Sequence, residues 1–319
     1  MTFVVAFVIA LVLYPIFIRA LRRMKAGQVI QAELPESHQR KAGTPTGGGL
    51  LFVAVALAAG LLATLAGHGG ALPASAGLLV GGLIGFADDR SKLLVGARGI
   101  PARLKLPLQV VVAIPVAAVA ISFGGEQQLW LPSWQSAYGP WILFPLAVAA
   151  IVATANAVNL TDGMDGLAGG LSVIAIAGLM LLFPRAAAGE KAVAFTLCGA
   201  LVAFLVFNRY PARVFMGDTG ALAIGYALAA MAIQQGLTVL LPLIALVFVL
   251  ETLSVMIQVA YFKASGGRRV FKMTPIHYTF HHNGWTENRI ALTFWAAGLL
   301  SALAAYWILL NTNHPFGLK

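Results

Sequence analysis

The chain has 319 residues, of which 60% are hydrophobic and only 10% charged, and its mean hydropathy is +0.86. Soluble domains carry about 25% charged residues, so this composition excludes a soluble globular protein and indicates an integral membrane protein. The formal net charge is +10, and a single cysteine, Cys198, excludes both a disulfide framework and a cysteine-based metal site.

Ten apolar segments approach the length of about 20 residues that crosses a bilayer. They predict an all-α, polytopic membrane protein with ten transmembrane helices in a single domain, residues 1–319. In chain order the predicted spans are Thr2–Ile18, Leu50–Gly67, Leu72–Ala87, Leu106–Phe123, Trp141–Leu160, Leu167–Phe183, Ala192–Phe207, Ala221–Ile233, Leu237–Phe262 and Ile290–Leu310. The ninth is long and contains Glu251, so we expect it to bend or to extend beyond the bilayer.

Basic residues indicate the orientation of these spans. All but three of the 21 Lys and Arg residues lie in loops that follow odd-numbered spans, and the exceptions are Arg185, Lys191 and Lys319. Because cytoplasmic loops carry the excess of positive charge, this bias predicts cytoplasmic odd loops and extracytoplasmic termini. It also suits attraction for anionic lipid head groups or a phosphorylated substrate.

Two adjacent carboxylates end the third span, in the segment GFADDRSK that runs from Gly85 to Lys92. Carboxylates at a membrane border are costly unless they are solvated, paired or bound to metal. Asp88 and Asp89 therefore suit either a magnesium site or a solvated helix end with Arg90 and Lys92 as counter-ions.

A second pair of carboxylates, Asp162 and Asp165, lies in NLTDGMDGLAGG between the fifth and sixth spans. In a helix the two would share a face, and the glycine after each would let a ligand approach the backbone. The segment has no basic residue, although we place it on the cytoplasmic side. It is either a polar turn or a site whose acids accept hydrogen bonds from a ligand or bind a metal.

Three further loops of the same side contain candidate site residues. Asp218, before the eighth span, suits a helix N-cap or a metal ligand. The segment PESHQRKAGTPTGGG places Lys41, Thr44 and Thr46 before three glycines whose exposed amides could cradle a phosphate. The last loop carries His277, His281 and His282, with no spacing that supports zinc.

These motifs, in this order, resemble the polyprenyl-phosphate N-acetylhexosamine-1-phosphate transferases over nearly the whole chain. The segments NAVNLTDGMDGLAGG and GFADDRSK carry the resemblance to the family. ESHQRKAGTPTGGG and Lys92 favour its phospho-MurNAc-pentapeptide branch over its GlcNAc-1-phosphate branch. FNRYPARVFMGDTGAL, FKMTPIH and GWTENR extend the match.

The resemblance implies a Mg2+-dependent enzyme of the bacterial cytoplasmic membrane, commonly a homodimer, with its active site facing the cytoplasm. Its substrates would be UDP-MurNAc-pentapeptide and undecaprenyl phosphate, and its products lipid I and UMP, with membrane lipids around it and no nucleic acid as partner. By the family's motifs the catalytic residues would be Asp88, Asp89, Lys92 and Asp218, with Asp218 as the metal ligand and Asp88 and Asp89 beside it. The substrate-binding residues would be Lys41, Thr46, Asn159, Asp162, Gly163, Met164, Asp165, Asn208, Phe215 and His277.

One loop departs from the family pattern. Where the family usually has three histidines, an aromatic residue and Glu, this chain reads His277, Tyr278, Thr279, Phe280, His281. This departure leaves the exact donor open, so we also consider a GlcNAc-1-phosphate transferase. A separate alternative, from a different class, is a transporter of an anionic substrate with the carboxylates as a proton relay. Most acids lie in loops rather than at mid-membrane, where a proton relay would place them, and this favours the enzyme.

Overall fold

The computed structural model describes residues 1–24, 43–95, 99–124, 140–182 and 186–311. We number its ten principal helices in chain order: α1 Thr2–Arg23, α2 Gly49–Leu65, α3 Leu72–Val95, α4 Ala102–Ser122, α5 Pro140–Thr161, α6 Leu167–Leu182, α7 Ala188–Asn208, α8 Gly217–Gln234, α9 Leu246–Ala264 and α10 Glu287–Asn311. Two shorter α-helices are Leu241–Ile244 and Ile276–His282, and we call the latter the histidine helix.

The prediction of an all-α membrane protein is confirmed for the described ranges, which contain helices and no sheet. Each predicted span overlaps the principal helix of the same number. Seven of these helices, α1, α3, α4, α5, α7, α9 and α10, are long and apolar enough to cross a membrane, and α2 and α6 are shorter apolar helices. The chain is therefore a multi-pass membrane protein, while the count of ten spans and the orientation of the termini stay predictions.

The predicted ninth span is not one continuous helix. A single turn, Leu241–Ile244, is followed by a break at Ala245 before α9 begins at Leu246. The hydroxyl of Ser301 on α10 donates to the carbonyl of Leu243 at this break. A neighbouring helix thus satisfies a polar group that the interruption leaves without its regular helical partner.

Helix α8 lies at the centre of the fold. Every residue from Asp218 to Gln234 is buried, as expected for a helix that is apolar on all sides. It packs against α3, α5, α4, α2 and α6. Its first turn therefore lies where several of the polar loops can meet.

Helices α3 and α8 pack closely along their length, and glycines make this possible. Gly77, Gly81 and Gly85 follow one another at intervals of four residues along one face of α3. A Cβ at Gly77 would lie 2.8 Å from Ala227 of α8, and one at Gly85 would overlap the backbone of Asp218. Small residues at such spacing let two membrane helices approach closely. One turn beyond Gly85, this contact brings the acids of α3 against the start of α8.

Candidate active site

The acids of α3 and α8 form a compact cluster at the first turn of α8. Asp88, Asp89 and Asp218 are each at least nine-tenths buried. Buried carboxylates require hydrogen-bond donors or cations, so their partners indicate what each one does.

Asp89 holds the first turn of α8. Its Oδ1 accepts a hydrogen bond from the Asp218 amide at 3.0 Å. Its Oδ2 accepts from the Thr219 amide at 2.9 Å and from the Thr219 hydroxyl at 2.6 Å. The first amides of a helix have no intrahelical partner, and a carboxylate there also interacts favourably with the helix dipole. Asp89 thus caps α8 from another helix.

Asp218 does not cap its own helix, which was one of its two predicted roles. It lies in the first turn of α8, and no side chain of the N-terminal residues caps that end. Its carboxylate points instead to lysines. Lys92 donates to Oδ1 at 2.8 Å, and Lys105 donates to Oδ2 at 2.5 Å.

The same two lysines bind Asp88. Lys92 lies 2.8 Å from Asp88 Oδ2, and Lys105 lies 3.3 Å from the same atom. The second oxygen, Oδ1, accepts from the Ile100 amide at 2.8 Å. Two carboxylates and two ammonium groups therefore alternate in a closed ring, which we call the Asp–Lys ring: Asp88, Lys92, Asp218 and Lys105.

Lys105 is absent from the residues that we selected by sequence. It lies in the first turn of α4, between Leu104 and Leu106, and belongs to no motif. A lysine within an apolar helix start is costly unless it finds a partner, and this is the signal that could have identified it.

Two predicted substrate-binding residues lie beside the ring. Asn159, at the end of α5, donates from Nδ2 to Asp218 Oδ1 at 3.1 Å. Thr46 lies next to Gly217, where an added Cβ would be 3.0 Å from the Thr46 hydroxyl and 2.7 Å from Asp89 Oδ2. Gly217 has φ +75°, a conformation that favours glycine.

The glycine run before α2 has a structural role that differs from our expectation of exposed, phosphate-binding amides. The amide of Gly48 donates to the Phe215 carbonyl at 2.8 Å, and that of Gly49 to the Met216 carbonyl at 2.9 Å. In the opposite direction, the Phe215 amide donates to the Pro45 carbonyl at 2.8 Å. The amides of Gly48 and Gly49 are therefore already hydrogen-bonded within the protein. Because these glycines have no side chains, the loop before α8 can approach them closely.

Asp162 faces the other carboxylates from the turn between α5 and α6. Burial raises the pKa of its carboxyl group well above the usual value, and the negative charges of Asp218 and Asp89 raise it further. Lys92 acts in the opposite direction, and no hydrogen bond from a described residue compensates. Asp162 is thus an acid whose negative charge the surrounding residues leave poorly stabilised.

Asp165 lies in the same turn but does not share a face with Asp162, because residues 162–166 are not helical. It is buried, and its Oδ2 accepts from the Ala212 amide at 2.8 Å. Asn208 accepts from the Gly166 amide at 3.0 Å and donates to the Val214 carbonyl at 2.9 Å. Both side chains join this turn to the loop before α8.

The remaining predicted substrate residues lie around the same turn. The side chain of Met164 is buried, and Phe215 is partly buried next to the glycine run. The Tyr278 hydroxyl donates to the Gly163 carbonyl at 3.1 Å. His277 is fully buried, and its Nδ1 lies 3.0 Å from Glu251 Oε2. Lys41 lies outside the described residues.

The donor set of this cluster suits magnesium bound jointly with a substrate. Within the described ranges, no group of three or more His, Cys, Asp or Glu side chains is arranged to hold a metal ion by itself. Mg2+ is commonly bound through one or two carboxylates together with substrate phosphates. Asp88 and Asp218 supply two carboxylates, so the residues fit a metal that arrives with a phosphorylated ligand.

Comparison with known proteins identifies the family of the chain. The model of glycosyl transferase family 4 matches residues 71–236, a range that contains α3 and α8 and the Asp–Lys ring. The chain belongs to glycosyl transferase family 4.

Within that family, the chain is similar to phospho-N-acetylmuramoyl-pentapeptide-transferases. It is 41% identical to that of Halalkalibacterium halodurans over 315 residues, which cover 97% of this chain and 96% of the relative. It is 43% identical to that of Heliobacterium modesticaldum over 94% of both chains. It is also 43% identical to that of Geobacillus kaustophilus over 95% of both. The family resemblance inferred from the motifs is therefore confirmed.

Proposed function

We propose that the chain transfers phospho-MurNAc-pentapeptide from UDP-MurNAc-pentapeptide to undecaprenyl phosphate, giving lipid I and UMP. The Asp–Lys ring carries this proposal, because it combines carboxylates for Mg2+ with cations for phosphate oxygens. Full-length similarity to phospho-N-acetylmuramoyl-pentapeptide-transferases supports this donor over UDP-GlcNAc. It also favours a transferase over a transporter.

The contacts of the three acids support two different roles. Asp88 and Asp218 face the lysines and would hold Mg2+, which when bound polarises phosphate oxygens and neutralises developing charge. Asp89 directs both oxygens to the first turn of α8. We therefore assign Asp89 the task of fixing Asp218 in place rather than of binding metal.

The proposed reaction is a single displacement. An oxygen of the lipid phosphate attacks the β-phosphorus of the donor, a new phosphorus–oxygen bond forms, and the bond to the bridging oxygen breaks. That oxygen leaves with its electron pair on UMP. A phosphate monoester has a second pKa of about 6, so at neutral pH the nucleophile is largely deprotonated and needs no general base.

The main task of the protein is then to bring two anions together. Lys92 and Lys105 are placed to contact phosphate oxygens once these displace the carboxylates of the ring. Asn159 at the end of α5, with Asp162 and Gly163 in the turn that follows, would contact the nucleotide-sugar. The partly buried Phe215, in the loop before α8, and Thr46, in the loop before α2, would border it from the other side.

The proposal includes a location and an assembly. The distribution of Lys and Arg supports an active site that faces the cytoplasm. By resemblance we expect a homodimer in the bacterial cytoplasmic membrane. Chemical labelling of single cysteines introduced at Arg213 or Arg268, in sealed cells, tests the location: we expect labelling only after the membrane is permeabilised.

The function is tested by UMP release from the purified full chain in detergent, with undecaprenyl phosphate as acceptor. We expect release from UDP-MurNAc-pentapeptide that requires Mg2+ and that is lost in D218N. Release from UDP-GlcNAc alone would contradict the assigned donor. Magnesium-independent flux of a donor into liposomes, without UMP release, would support a transporter instead.

The single-step course has its own test. The alternative is a two-step course in which the carboxylate of Asp88 attacks the donor and forms a covalent intermediate. Acid quenching of a single turnover with radiolabelled donor should yield no phosphorylated protein. A labelled aspartyl phosphate on Asp88 would contradict direct displacement.

A further inference from the structure

A buried carboxylate of α9 contacts the histidine helix. Glu251 has no exposed surface and lies on the second turn of α9. Its Oε2 is 3.0 Å from His277 Nδ1 and 3.5 Å from the His277 amide. His277 is also fully buried. The two side chains therefore form a pair that is withdrawn from solvent.

This contact determines which nitrogen of His277 carries a proton. A carboxylate can only accept hydrogen bonds, so the Nδ1 atom that faces Glu251 must be the donor. An acidic residue within a predicted span is costly and is usually paired and functional. The partner of Glu251 is a side chain that our sequence analysis had independently assigned to substrate binding.

The other ring nitrogen of His277 faces the Asp162 turn. A Cβ added at Gly163 would lie 2.6 Å from His277 Nε2 and 2.8 Å from the Tyr278 hydroxyl. In the described part of the chain, Nε2 has no hydrogen-bond partner. A buried polar atom without a partner is costly, and such atoms mark places where a ligand or water is to bind.

Charged and ionisable groups surround this histidine on several elements. Glu251 faces it from α9 and Tyr278 from its own helix. Burial raises the pKa of the Tyr278 hydroxyl, and the negative charges of Glu287 on α10 and of Asp162 in the α5–α6 turn raise it further. The hydroxyl therefore stays a donor at neutral pH. His277 thus lies between Glu251 and the Asp162 turn, with the Tyr278 ring beside it.

We propose that Glu251 is a positioning residue, which holds His277 through Nδ1 so that Nε2 binds a polar group of the donor beside Gly163. Gly163 permits this, since any side chain there would occupy the space in front of Nε2. The inference deepens the proposed function and rests on it for the identity of the donor. It adds to the proposed site one residue, Glu251, which lies on α9 and outside the Asp–Lys ring.

The first test compares E251Q with wild type by titration of UDP-MurNAc-pentapeptide onto the purified full chain. Glutamine keeps the size of Glu251, but its amide can donate as well as accept, so it no longer determines the tautomer of His277. We expect the donor Kd to rise about tenfold, the effect of one lost hydrogen bond to the ligand. The melting temperature of E251Q should not fall by more than that of E190Q, the control variant described next.

The matched control is E190Q. Glu190 is also a buried acid on a helix, and its Oε1 accepts a hydrogen bond from Gln235 at 2.6 Å. It lies in the first turn of α7, at the opposite end of that helix from Asn208. We expect E190Q to bind the donor as wild type does.

The second test separates the two nitrogens of His277. In H277N the side-chain amide can replace Nδ1, and in H277Q it can replace Nε2. If Nε2 binds the donor, H277Q should keep a lower Kd than H277N, while H277N should keep the higher melting temperature through Glu251. If the contact between Glu251 and His277 were purely structural, the histidine variant with the higher melting temperature would also have the lower donor Kd.

The results of these tests either support or overturn the role of Glu251. A wild-type donor Kd in E251Q, or a donor Kd in H277Q no lower than in H277N, would overturn the proposal. If neither histidine variant folds, the E251Q and E190Q comparison decides alone. If wild type binds the donor but releases no UMP, the proposed function fails while the binding comparisons still test Glu251.

Discussion

Asp89 on α3 and Thr219 on α8 are joined by two hydrogen bonds to a single carboxylate oxygen, from the Thr219 amide at 2.9 Å and from its hydroxyl at 2.6 Å. This contact links the end of one helix to the start of another, 130 residues further along the chain. Because Asp218 precedes Thr219, any change at this contact also moves the proposed metal ligand.

The Asp89 contact should therefore affect stability and activity together. D89N replaces one acceptor oxygen with a donor group that faces other donors, and we expect a loss of about 1–3 kcal/mol in stability. UMP release should fall as well, since the position of Asp218 changes. Thermal unfolding in detergent and the UMP assay measure the two effects.

Thr219 provides the graded controls. T219S keeps the hydroxyl and should resemble wild type, whereas T219V loses one of the three bonds to Asp89 and should lie between wild type and D89N. If D89N lost activity while its melting temperature equalled that of wild type, Asp89 would act on the substrate or metal rather than on α8.

The glycine face of α3 should tolerate no side chain. In G81A, the new Cβ would lie 2.5 Å from the Leu222 carbonyl oxygen on α8, and we expect a destabilisation of about 1–3 kcal/mol from overpacking. Activity should fall in parallel, because α3 carries Asp88 and Asp89. The measurements are thermal unfolding and UMP release.

Gly82 is the adjacent control. A Cβ there would lie 3.4 Å from Val53 and 3.8 Å from Ala223, which are ordinary contacts, so G82A should unfold close to the wild-type temperature. Equal melting temperatures for G81A and G82A would show that the glycine contact with α8 is not required.

Much of this architecture was predictable because its causes are local. Apolar runs of nearly bilayer length predicted the helices, and the bias of basic residues predicted that the acidic loops lie on one side. The meeting of Asp88 and Asp218 depends instead on the register of α3 against α8. That register comes from backbone contacts at Gly81 and Gly85, which a single sequence does not reveal as a pair.

The residues that the sequence did not predict have distant partners. Lys105 has no motif, and its role depends on carboxylates of two other helices. Glu251 could be recognised as a buried, paired acid, but nothing in the chain indicated His277 as its partner, since 26 residues separate them. The glycines before α2 suggested a phosphate cradle, because the backbone amides of glycines are open to a ligand when nothing else binds them. The sequence does not show that the carbonyls of Phe215 and Met216 accept hydrogen bonds from these amides.

Removal of Lys105 should strengthen the binding of a divalent cation in the absence of substrate. Lys105 and Lys92 neutralise the two carboxylates that we assign to the metal. Two unit charges about 4 Å apart interact with a free energy of about 1–4 kcal/mol. Removal of the positive charge that competes with the cation should therefore make K105A bind Mn2+ about tenfold more tightly in calorimetric titration. UMP release should nevertheless fall, because one cation for the phosphates is lost.

Arg103 is the control for Lys105. It is exposed on the same first turn of α4, so R103A removes a positive charge nearby without changing the Asp–Lys ring. We expect wild-type affinity for Mn2+ in R103A. If K105A bound Mn2+ no more tightly than R103A, the lysines would not compete with the metal.

Asp162 and Asp165 should respond in opposite directions to the same substitution. The charge of Asp162 is poorly stabilised in the unliganded protein, so D162N should raise the melting temperature at neutral pH while weakening donor binding. Asp165 accepts a hydrogen bond from the Ala212 amide at 2.8 Å, so D165N should lower the melting temperature.

The pH dependence of the Asp162 effect follows from the direction of its pKa shift. The folded protein raises this pKa above the unfolded value of about 3.9. A group of this kind contributes stability that is complete below the unfolded pKa and is lost as the pH rises through the folded pKa. The advantage of D162N over wild type should therefore be large near pH 8 and should shrink toward about pH 4, where the wild-type acid is also neutral. Melting temperatures of both proteins across this range, with D165N as the matched control, test the assignment. An advantage that is independent of pH would show that the charge of Asp162 is not its source.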